Sequence, residues 1–243
     1  MSPDRTLAIA VRIFNQIVRD RRSVAMIIVA PVVVMSLVGF SFAGQREVLD
    51  RVAPGLMGVF AMFFVFLLTG VSFLRERSQG TLERLLTTPV GRGDILLGYL
   101  LGFLVFASIQ SLVILLYTIL ALQIEYQGAL WQIFILLMLL TVVAVNLGIF
   151  VSTFARNEFQ VVQFIPLVLA PQIFLSGVIL PVEQLPGYFQ VVSKALPLTY
   201  AVTGLKEIML EGQSLAGIGV ELGVLASFAA VLLVLAAATV RRT

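Results

Sequence analysis

Long apolar runs, separated by one hydrophilic island, dominate this chain of 243 residues. Hydrophobic residues make up 60% of it and charged residues 12%, whereas about a quarter of the residues in a soluble domain are charged. A helix needs roughly 20 apolar residues to cross the hydrocarbon of a bilayer. Six runs are long enough, and they predict spans at about 24–43, 53–74, 95–122, 131–154, 160–180 and 217–240. The predicted fold class is an all-α polytopic membrane protein, with a single transmembrane domain over residues 1–243.

Two of these runs have unusual features. The third is so long that about 28 residues would rise roughly 42 Å as a helix, so it must tilt or project from the bilayer. The fifth contains Pro166 and Pro171. Because proline removes a backbone donor and clashes with the preceding turn, the fifth run predicts a kinked or broken helix.

The basic residues predict the orientation, since six spans place both termini on the same side. Twelve of the 16 basic residues lie on that side: Arg5, Arg12, Arg19, Arg21, Arg22, Arg75, Arg77, Arg84, Arg92, Arg156, Arg241 and Arg242. The other four are Arg46, Arg51, Lys194 and Lys206. Lysine and arginine are enriched in cytoplasmic loops. We therefore expect a multi-pass protein of the cytoplasmic membrane with both termini in the cytoplasm.

Residues 5–22 have the pattern of an amphipathic helix. At 100° per residue, the polar arc contains Arg5, Arg12, Asn15, Gln16 and Arg19. The opposite arc contains Leu7, Val11, Phe14, Ile17 and Val18. Such a helix is typical of the membrane interface, with its arginines directed toward anionic headgroups. It is either a membrane-surface anchor alone or an anchor that also contacts a soluble partner.

The hydrophilic island, residues 75–93, predicts a short helix between the second and third spans. Gly80 interrupts the chain and Thr81 can cap the helix that begins after it. Three leucines then share one helical face, Pro89 ends the helix, and Asp94 can cap the third span. The island is either a solvated connector whose leucines rest on the membrane, or a coupling helix whose leucines enter a groove on a partner. The residues of interest are Arg75, Glu76, Arg77, Gly80, Thr81, Leu82, Glu83, Leu85 and Leu86.

Four stretches carry a resemblance to a known family. The sequence ERSQGTLERLLTTPVGRGDILL, residues 76–97, resembles the signature loop of type 2 ATP-binding-cassette (ABC) exporter permeases. These include the daunorubicin-resistance and sodium-efflux permeases. Ala53-Pro54-Gly55-Leu56 is similar to the start of their second span. Residues 175–200, LSGVILPVEQLPGYFQVVSKALPLTY, and residues 205–212 are similar to the part that comes after their fifth span.

The resemblance implies an architecture and partners. It implies six spans, an N-terminal interfacial helix, a cytoplasmic coupling helix, and re-entrant outer helices before the last span. Two permease subunits would join two ATPase subunits, which hold the ATP and Mg, so no cofactor is expected in this chain. The substrate path would pass the first, second and fifth spans along the dimer interface. The outer loop at about 44–52 is much shorter than in relatives with a large outer domain.

The segment 181–212 also predicts re-entrant structure on its own account. Pro181, Pro186 and Pro197 interrupt a stretch that is too apolar for a solvated loop and too short for a span. Irregular backbone at membrane depth must be buried in protein. We expect a pair of short outer helices that act either as a gate or as a structural plug.

Several kinds of chemistry are missing from the sequence. The chain has no cysteine and no histidine, which excludes disulfides and Cys/His metal sites. No G-x-x-x-x-G-K-[ST] occurs, so ATP cannot bind in the manner of P-loop proteins. We expect no catalytic residue, no metal site and no nucleic-acid partner, and we expect ATP hydrolysis in a partner chain.

Uncharged polar residues and glycine pairs mark the interiors of the spans. The polar residues are Gln110, Ser111, Thr118, Asn146, Gln163, Gln172 and Ser176. Each is either a contact between helices or part of a path. Because the fifth span is kinked, Gln163, Gln172 and Ser176 are the candidates for the path. The pairs Gly98-x-x-x-Gly102 and Gly219-x-x-x-Gly223 predict close helix packing within one subunit.

These observations leave three functions to compare. The first is the permease subunit of an ATP-driven exporter, acting as a homodimer on an amphipathic or lipid-like substrate such as a drug, a lipid or a lipid-linked glycan. The second is a passive channel or carrier, which would need a polar stripe or a charge at mid-membrane. The third is a membrane scaffold or assembly factor without transport.

Overall fold

A computed structural model describes residues 3–42, 44–81, 85 and 91–239, and within those residues it contains nine α-helices and no strand. The helices are α1 Pro3–Arg19, α2 Arg21–Ser41, α3 Arg46–Ser78, α4 Arg92–Leu116, α5 Leu130–Ser152, α6 Glu158–Leu175, α7 Gly187–Ser193, α8 Pro197–Glu211 and α9 Gly219–Thr239. A π-helical turn, Tyr117–Ala121, extends α4.

Five of the described helices are long and apolar enough to cross a membrane: α3, α4 with its π-helical turn, α5, α6 and α9. They correspond to the second to sixth predicted spans. The first predicted span corresponds to α2, in which Ile28–Ser41 forms a shorter apolar helix. The prediction of an all-helical protein with several membrane-crossing helices is therefore confirmed.

Several predicted boundaries differ from the structure. The predicted span 53–74 lies within the much longer α3, because helical backbone continues through the polar residues at both ends. The predicted span 160–180 stops at Leu175, since Gly177 adopts a left-handed φ of +81° that no helix continues through. Its two prolines do not break α6. The predicted helix 5–22 ends at Arg19, and α2 begins at Arg21.

Helices α3 and α5 form the centre of the bundle, where their backbones approach closely. A Cβ atom at Gly148 of α5 would lie 2.9 Å from the carbonyl oxygen of Phe66 in α3. Around this contact the core is completely buried, as for Met57, Phe66 and Leu136. In contrast, α6 and α9 are mostly unburied within this chain, so their apolar surface is available to lipid or to another protein.

The first glycine pair packs within the chain, as predicted, and its partner is α1. A Cβ atom at Gly98 would lie 2.6 Å from Cβ of Ile9, and one at Gly102 would lie 2.8 Å from Cβ of Ile13. The prediction for the second pair was wrong, because no other helix in the described part of the chain comes within 4 Å of a Cβ at Gly219 or Gly223.

Helix α1 has three faces rather than the two predicted. Thr6, Ile9, Ala10, Ile13 and Ile17 are buried against the bundle. Leu7, Val11 and Val18 form a separate row that remains exposed. The polar residues occupy the third face, so α1 is docked on α4 and still presents an apolar row to its surroundings.

The two glycine pairs allow a matched stability test. Gly98→Ala is expected to lower the unfolding midpoint in detergent, because the new methyl group must displace Ile9 and overpacking costs about 1–3 kcal/mol. Gly223→Ala is the control: it meets no neighbour, and alanine favours a helix by about 1 kcal/mol over glycine. Circular dichroism during thermal unfolding measures both. Equal midpoints for the two variants would contradict the close packing of α1 on α4.

Candidate coupling site

The last turn of α3 bears three consecutive charged residues whose side chains all bind to the bundle. Arg75 donates from Nε and Nη2 to the Glu158 carboxylate, at 2.7 and 2.9 Å. Its Nη1 lies 3.7 Å from Oδ2 of Asp20. This fork joins α3 to the start of α6 and to the junction of α1 with α2. Since all three side chains are partly exposed, these ion pairs contribute little to the free energy of unfolding. Their main effect is to fix the positions of the helices that they join.

Glu76 is the centre of a buried polar triad. Its side chain is only 3% exposed, and its Oε2 accepts hydrogen bonds from Arg12 Nη2 at 2.5 Å and from Tyr99 Oη at 2.7 Å. Arg12 Nη2 also lies 3.0 Å from Tyr99 Oη. The three residues come from α1, α3 and α4, so a single carboxylate joins three helices. Such a charge is tolerated in a buried place only because it is paired.

Arg77 binds the end of another helix. Its guanidinium donates to the carbonyl oxygens of Thr153, at 2.8 Å, and of Ala155. These groups lie just after α5, where the last carbonyls of a helix lack helical partners and the dipole favours a cation. Arg77 therefore connects the end of α3 to the end of α5.

The start of α4 is attached to α1 on the same side of the bundle. Asp94 is buried, and its Oδ2 accepts from the backbone N–H of Gly91 at 3.2 Å, which confirms the predicted cap. Its Oδ1 accepts from the hydroxyl of Thr6 at 3.4 Å. We call this side, where the side chains of residues 75–77 are bound, the arginine-rich end of the bundle.

The island itself is described only in part. Gly80 has a φ of +68°, so it interrupts the helical course as predicted, and the backbone at Thr81 is helical. Leu85 is partly buried and packs against the core of the bundle. Leu82, Glu83 and Leu86 lie outside the described residues. Both edges of the island are thus fixed to the bundle, by α3 before it and by α4 after it.

Arg12, one of the three arginines assigned to the interface, is bound within the bundle. Arg12 is held by Glu76 and Tyr99, so the prediction that its charge is directed to headgroups was wrong. A hydrogen bond between a guanidinium and a carboxylate is charge-assisted, and such bonds are about twice as strong as neutral ones. Arg5 and Arg19 are exposed on α1, and their position near headgroups stays a prediction.

The three path candidates, two on α6 and Ser176 just after it, do not converge on one place. Gln163 is exposed, whereas Gln172 and Ser176 are buried. Gln172 Oε1 accepts from the backbone N–H of Leu198 at 3.3 Å, and Ser176 Oγ finds no hydrogen-bond partner among the residues that the structure describes. Their role in a path stays a prediction.

Two other polar residues inside the spans bind neighbouring helices. Gln110 donates to the carbonyl oxygen of Phe60 at 3.3 Å, and Asn146 donates to that of Ala229 at 3.2 Å. Both link one helix to another, which is the first of the two roles that the sequence allowed for them.

Most of the chain matches a known family. The family model described as ABC-2 type transporter covers residues 4–210, which includes α1, the island and α8. The chain belongs to this family.

Several curated relatives are similar over about 70% of the chain. ABC transporter G family member 20 of Dictyostelium discoideum is 30% identical over 171 residues, which is 70% of this chain and 23% of that protein. The probable multidrug ABC transporter permease YbhS of Escherichia coli (strain K12) is 28% identical over 162 residues, 66% of this chain and 43% of that protein. Nodulation protein J of Rhizobium meliloti (strain 1021) is 35% identical over 177 residues, 70% of this chain and 64% of that protein. The chain thus spans less than two thirds of the length of these relatives.

The triad can be tested by a double-mutant cycle. Arg12→Met is expected to destabilise the protein by about 3 kcal/mol, because it leaves the buried Glu76 carboxylate without its cation. Adding Glu76→Gln should restore part of that loss, since no unpaired charge then remains. Denaturant unfolding in detergent measures the coupling energy. Strictly additive losses would show that the pair contributes nothing as a pair.

Proposed function

We propose that this chain is the permease subunit of an ATP-driven exporter, powered by a separate ATPase. The observation that carries the proposal is the set of side chains at the edge of the island. Arg75, Glu76 and Arg77 attach the end of α3 to α1, α4, α5 and α6. A force applied to the island would therefore reach most of the bundle at once, which is what an ATPase partner requires of its permease.

Coupling is a shift between two states. Closure of an ATPase dimer on ATP would move the island, which starts at Gly80 and Thr81. Its contact residues would be Leu82, Leu86 and the exposed part of Leu85, whose side chain also packs on the core of the bundle. The state that the ATPase favours then becomes the more populated state of the bundle. Arg75, Glu76 and Arg77 would not touch the ATPase themselves, because their side chains are bound within the chain. They would transmit the movement of the island to the other helices.

In this proposal α2 crosses the membrane as well, which makes six spans, and the arginine-rich end faces the cytoplasm. The excess of arginine near that end supports this orientation. Helix α1 then lies in the cytoplasmic interface with Leu7, Val11 and Val18 toward the acyl chains, and Arg5 and Arg19 near the headgroups. Helices α7 and α8 lie at the outer side, where a re-entrant pair can be buried by protein.

The exposed face of α6 supports a second copy and a path beside it. Pro166 and Pro171 have no N–H to donate to the carbonyls of residues 162 and 167, and Gln163 is exposed on the same helix. Unpaired carbonyls and an amide are costly in hydrocarbon. We infer that this face meets another copy of the chain and a hydrated path with Gln163 on it. Gln172 and Ser176 are buried in this structure, and in this proposal they join the path when the outer end of α6 moves.

The substrate we propose is amphipathic or lipid-like. The walls of the bundle are apolar, and relatives include a probable multidrug permease and a linearmycin resistance permease. A passive channel would move the substrate without an ATPase, and a scaffold would move none, so one transport assay separates the three functions.

The coupling role predicts a specific uncoupled variant. Glu83→Arg, which reverses a charge on the island, should reduce ATP-driven transport and alter the stimulation of ATP turnover by the permease. Glu47→Arg is the matched control, because Glu47 is an exposed acid at the opposite end of the bundle. Both are measured after co-purification with the ATPase and reconstitution into vesicles. Identical transport and turnover in the two variants would refute the coupling role of the island.

The path predicts different water access on two exposed faces. A cysteine at Gln163 should react readily with a hydrophilic maleimide, because the path is hydrated. A cysteine at Val234 of α9, an exposed residue that faces lipid in this proposal, should react slowly. The chain has no native cysteine, so each label reports a single position. Slow labelling of both would place α6 against lipid rather than beside a path.

A further inference from the structure

The chain immediately after α6 is buried although it is not helical. Ser176, Gly177 and Val178 are all buried, and a Cβ atom at Gly55 of α3 would lie 3.4 Å from Cα and Cγ1 of Val178. The left-handed Gly177 makes this turn possible. The end of α6 is thus inserted between α3 and α8 at the end of the bundle opposite the arginine-rich end.

Lys206 of α8 caps this turn with its charge. Its Nζ donates to the carbonyl oxygen of Gly177 at 2.5 Å, and the side chain is half-buried. Burial lowers the pKa of Lys206, and the nearby Glu183 carboxylate acts in the opposite direction. A cation at the end of a helix binds carbonyls that have no helical partner and interacts favourably with the helix dipole.

Helix α6 in turn caps the start of α8. Gln172 Oε1 accepts from the backbone N–H of Leu198, which is in the first turn of α8, where N–H groups lack helical partners. Each helix therefore supplies a side chain that satisfies the end of the other. We call the contacts Gln172–Leu198 and Lys206–Gly177 the reciprocal caps.

We propose that the reciprocal caps are a latch that holds the outer half of α6 against α8 and opens once in each transport cycle, with Lys206 as its positioning residue. The inference rests on the proposed function, ATP-driven transport along α6. It adds the contact that must break on the far side of the membrane when the ATPase acts on the island.

The structure gives the latch a part that can separate. Apart from its end, α6 is poorly buried, and Pro166 and Pro171 each remove a backbone hydrogen bond between the arginine-rich end and the latch. Bends in helices occur at such positions. The outer half of α6 can therefore swing about the prolines once the two caps are released, while Arg75 keeps the base of α6 in place.

A disulfide between α3 and the chain just after α6 tests whether the outer end of α6 must leave the bundle, which it would do once the two caps are released. Gly55→Cys combined with Val178→Cys places the two Cβ atoms near the 3.5–4.5 Å that a disulfide needs, and the chain has no other cysteine. After oxidation we expect the ATPase to remain bound and ATP-driven transport to be lost, with full recovery on reduction. The two single variants, oxidised in the same way, are the controls.

The outcomes separate the latch from the function on which it rests. Transport by the oxidised, cross-linked pair at the rate of the reduced pair would overturn the latch, and failure of the cysteines to cross-link would show that the closed contact is not populated. Absence of ATP-driven transport by the unmodified chain with its ATPase would instead refute the proposed function.

Substitution of Lys206 gives a second measurement. Lys206→Met removes the charge and keeps the length, so the latch should open without ATP and the amount of substrate moved per ATP should fall. Lys206→Arg keeps a donor cation and should restore most of that ratio. Equal ratios in the wild type and Lys206→Met, in protein of unchanged unfolding midpoint, would overturn the role of Lys206.

Discussion

The pairing of the buried Glu76 carboxylate determines how the base of this bundle is arranged. A charge with 3% exposure needs both a cation and a neutral donor, and the two come from helices distant in sequence, Arg12 in α1 and Tyr99 in α4. As long as that pairing holds, α1 cannot move as an independent surface helix. The packing of Ile9 and Ile13 on Gly98 and Gly102 is the apolar counterpart of the same attachment.

The two ends of the bundle differ in their ion pairs. At the arginine-rich end, ion pairs such as Arg75–Glu158 join helices through long side chains, beside the contacts of Arg77 with backbone carbonyls. At the opposite end, side chains bind backbone groups, as in the contacts of Lys206 with Gly177 and of Gln172 with Leu198. Ion pairs at an exposed end tolerate displacement, whereas a cap on a backbone group is either made or lost. The first arrangement can transmit a displacement between helices. The second can hold two helices in one of two states, with the contact either made or broken.

Much of the fold could be predicted from the sequence, because hydrocarbon imposes the length and the apolar character of a span. The start of α4, with Asp94 as its cap, and the packing role of Gly98 and Gly102 could be predicted from local patterns. Tyr99 was missed, since a single tyrosine in an apolar run has no signal that points to a carboxylate 23 residues earlier. The partner of Lys206 could not be predicted either, because every residue has a backbone carbonyl and no residue type marks the one that a lysine binds. What sequence reasoning could not supply was long-range pairing.

The three-faced α1 also has a consequence for how the protein sits in a bilayer. With 33 residues, α3 is about 50 Å long, well above the thickness of the hydrocarbon, so its vertical position is not determined by hydrophobic matching alone. In the orientation proposed, the exposed row Leu7, Val11 and Val18 lies at the boundary between headgroups and acyl chains. The Arg12–Glu76 hydrogen bond attaches α1, and so this row, to the end of α3. In that orientation helix α1 would set the depth of α3 in the bilayer and would keep its charged end above the acyl chains, where a soluble protein can contact it.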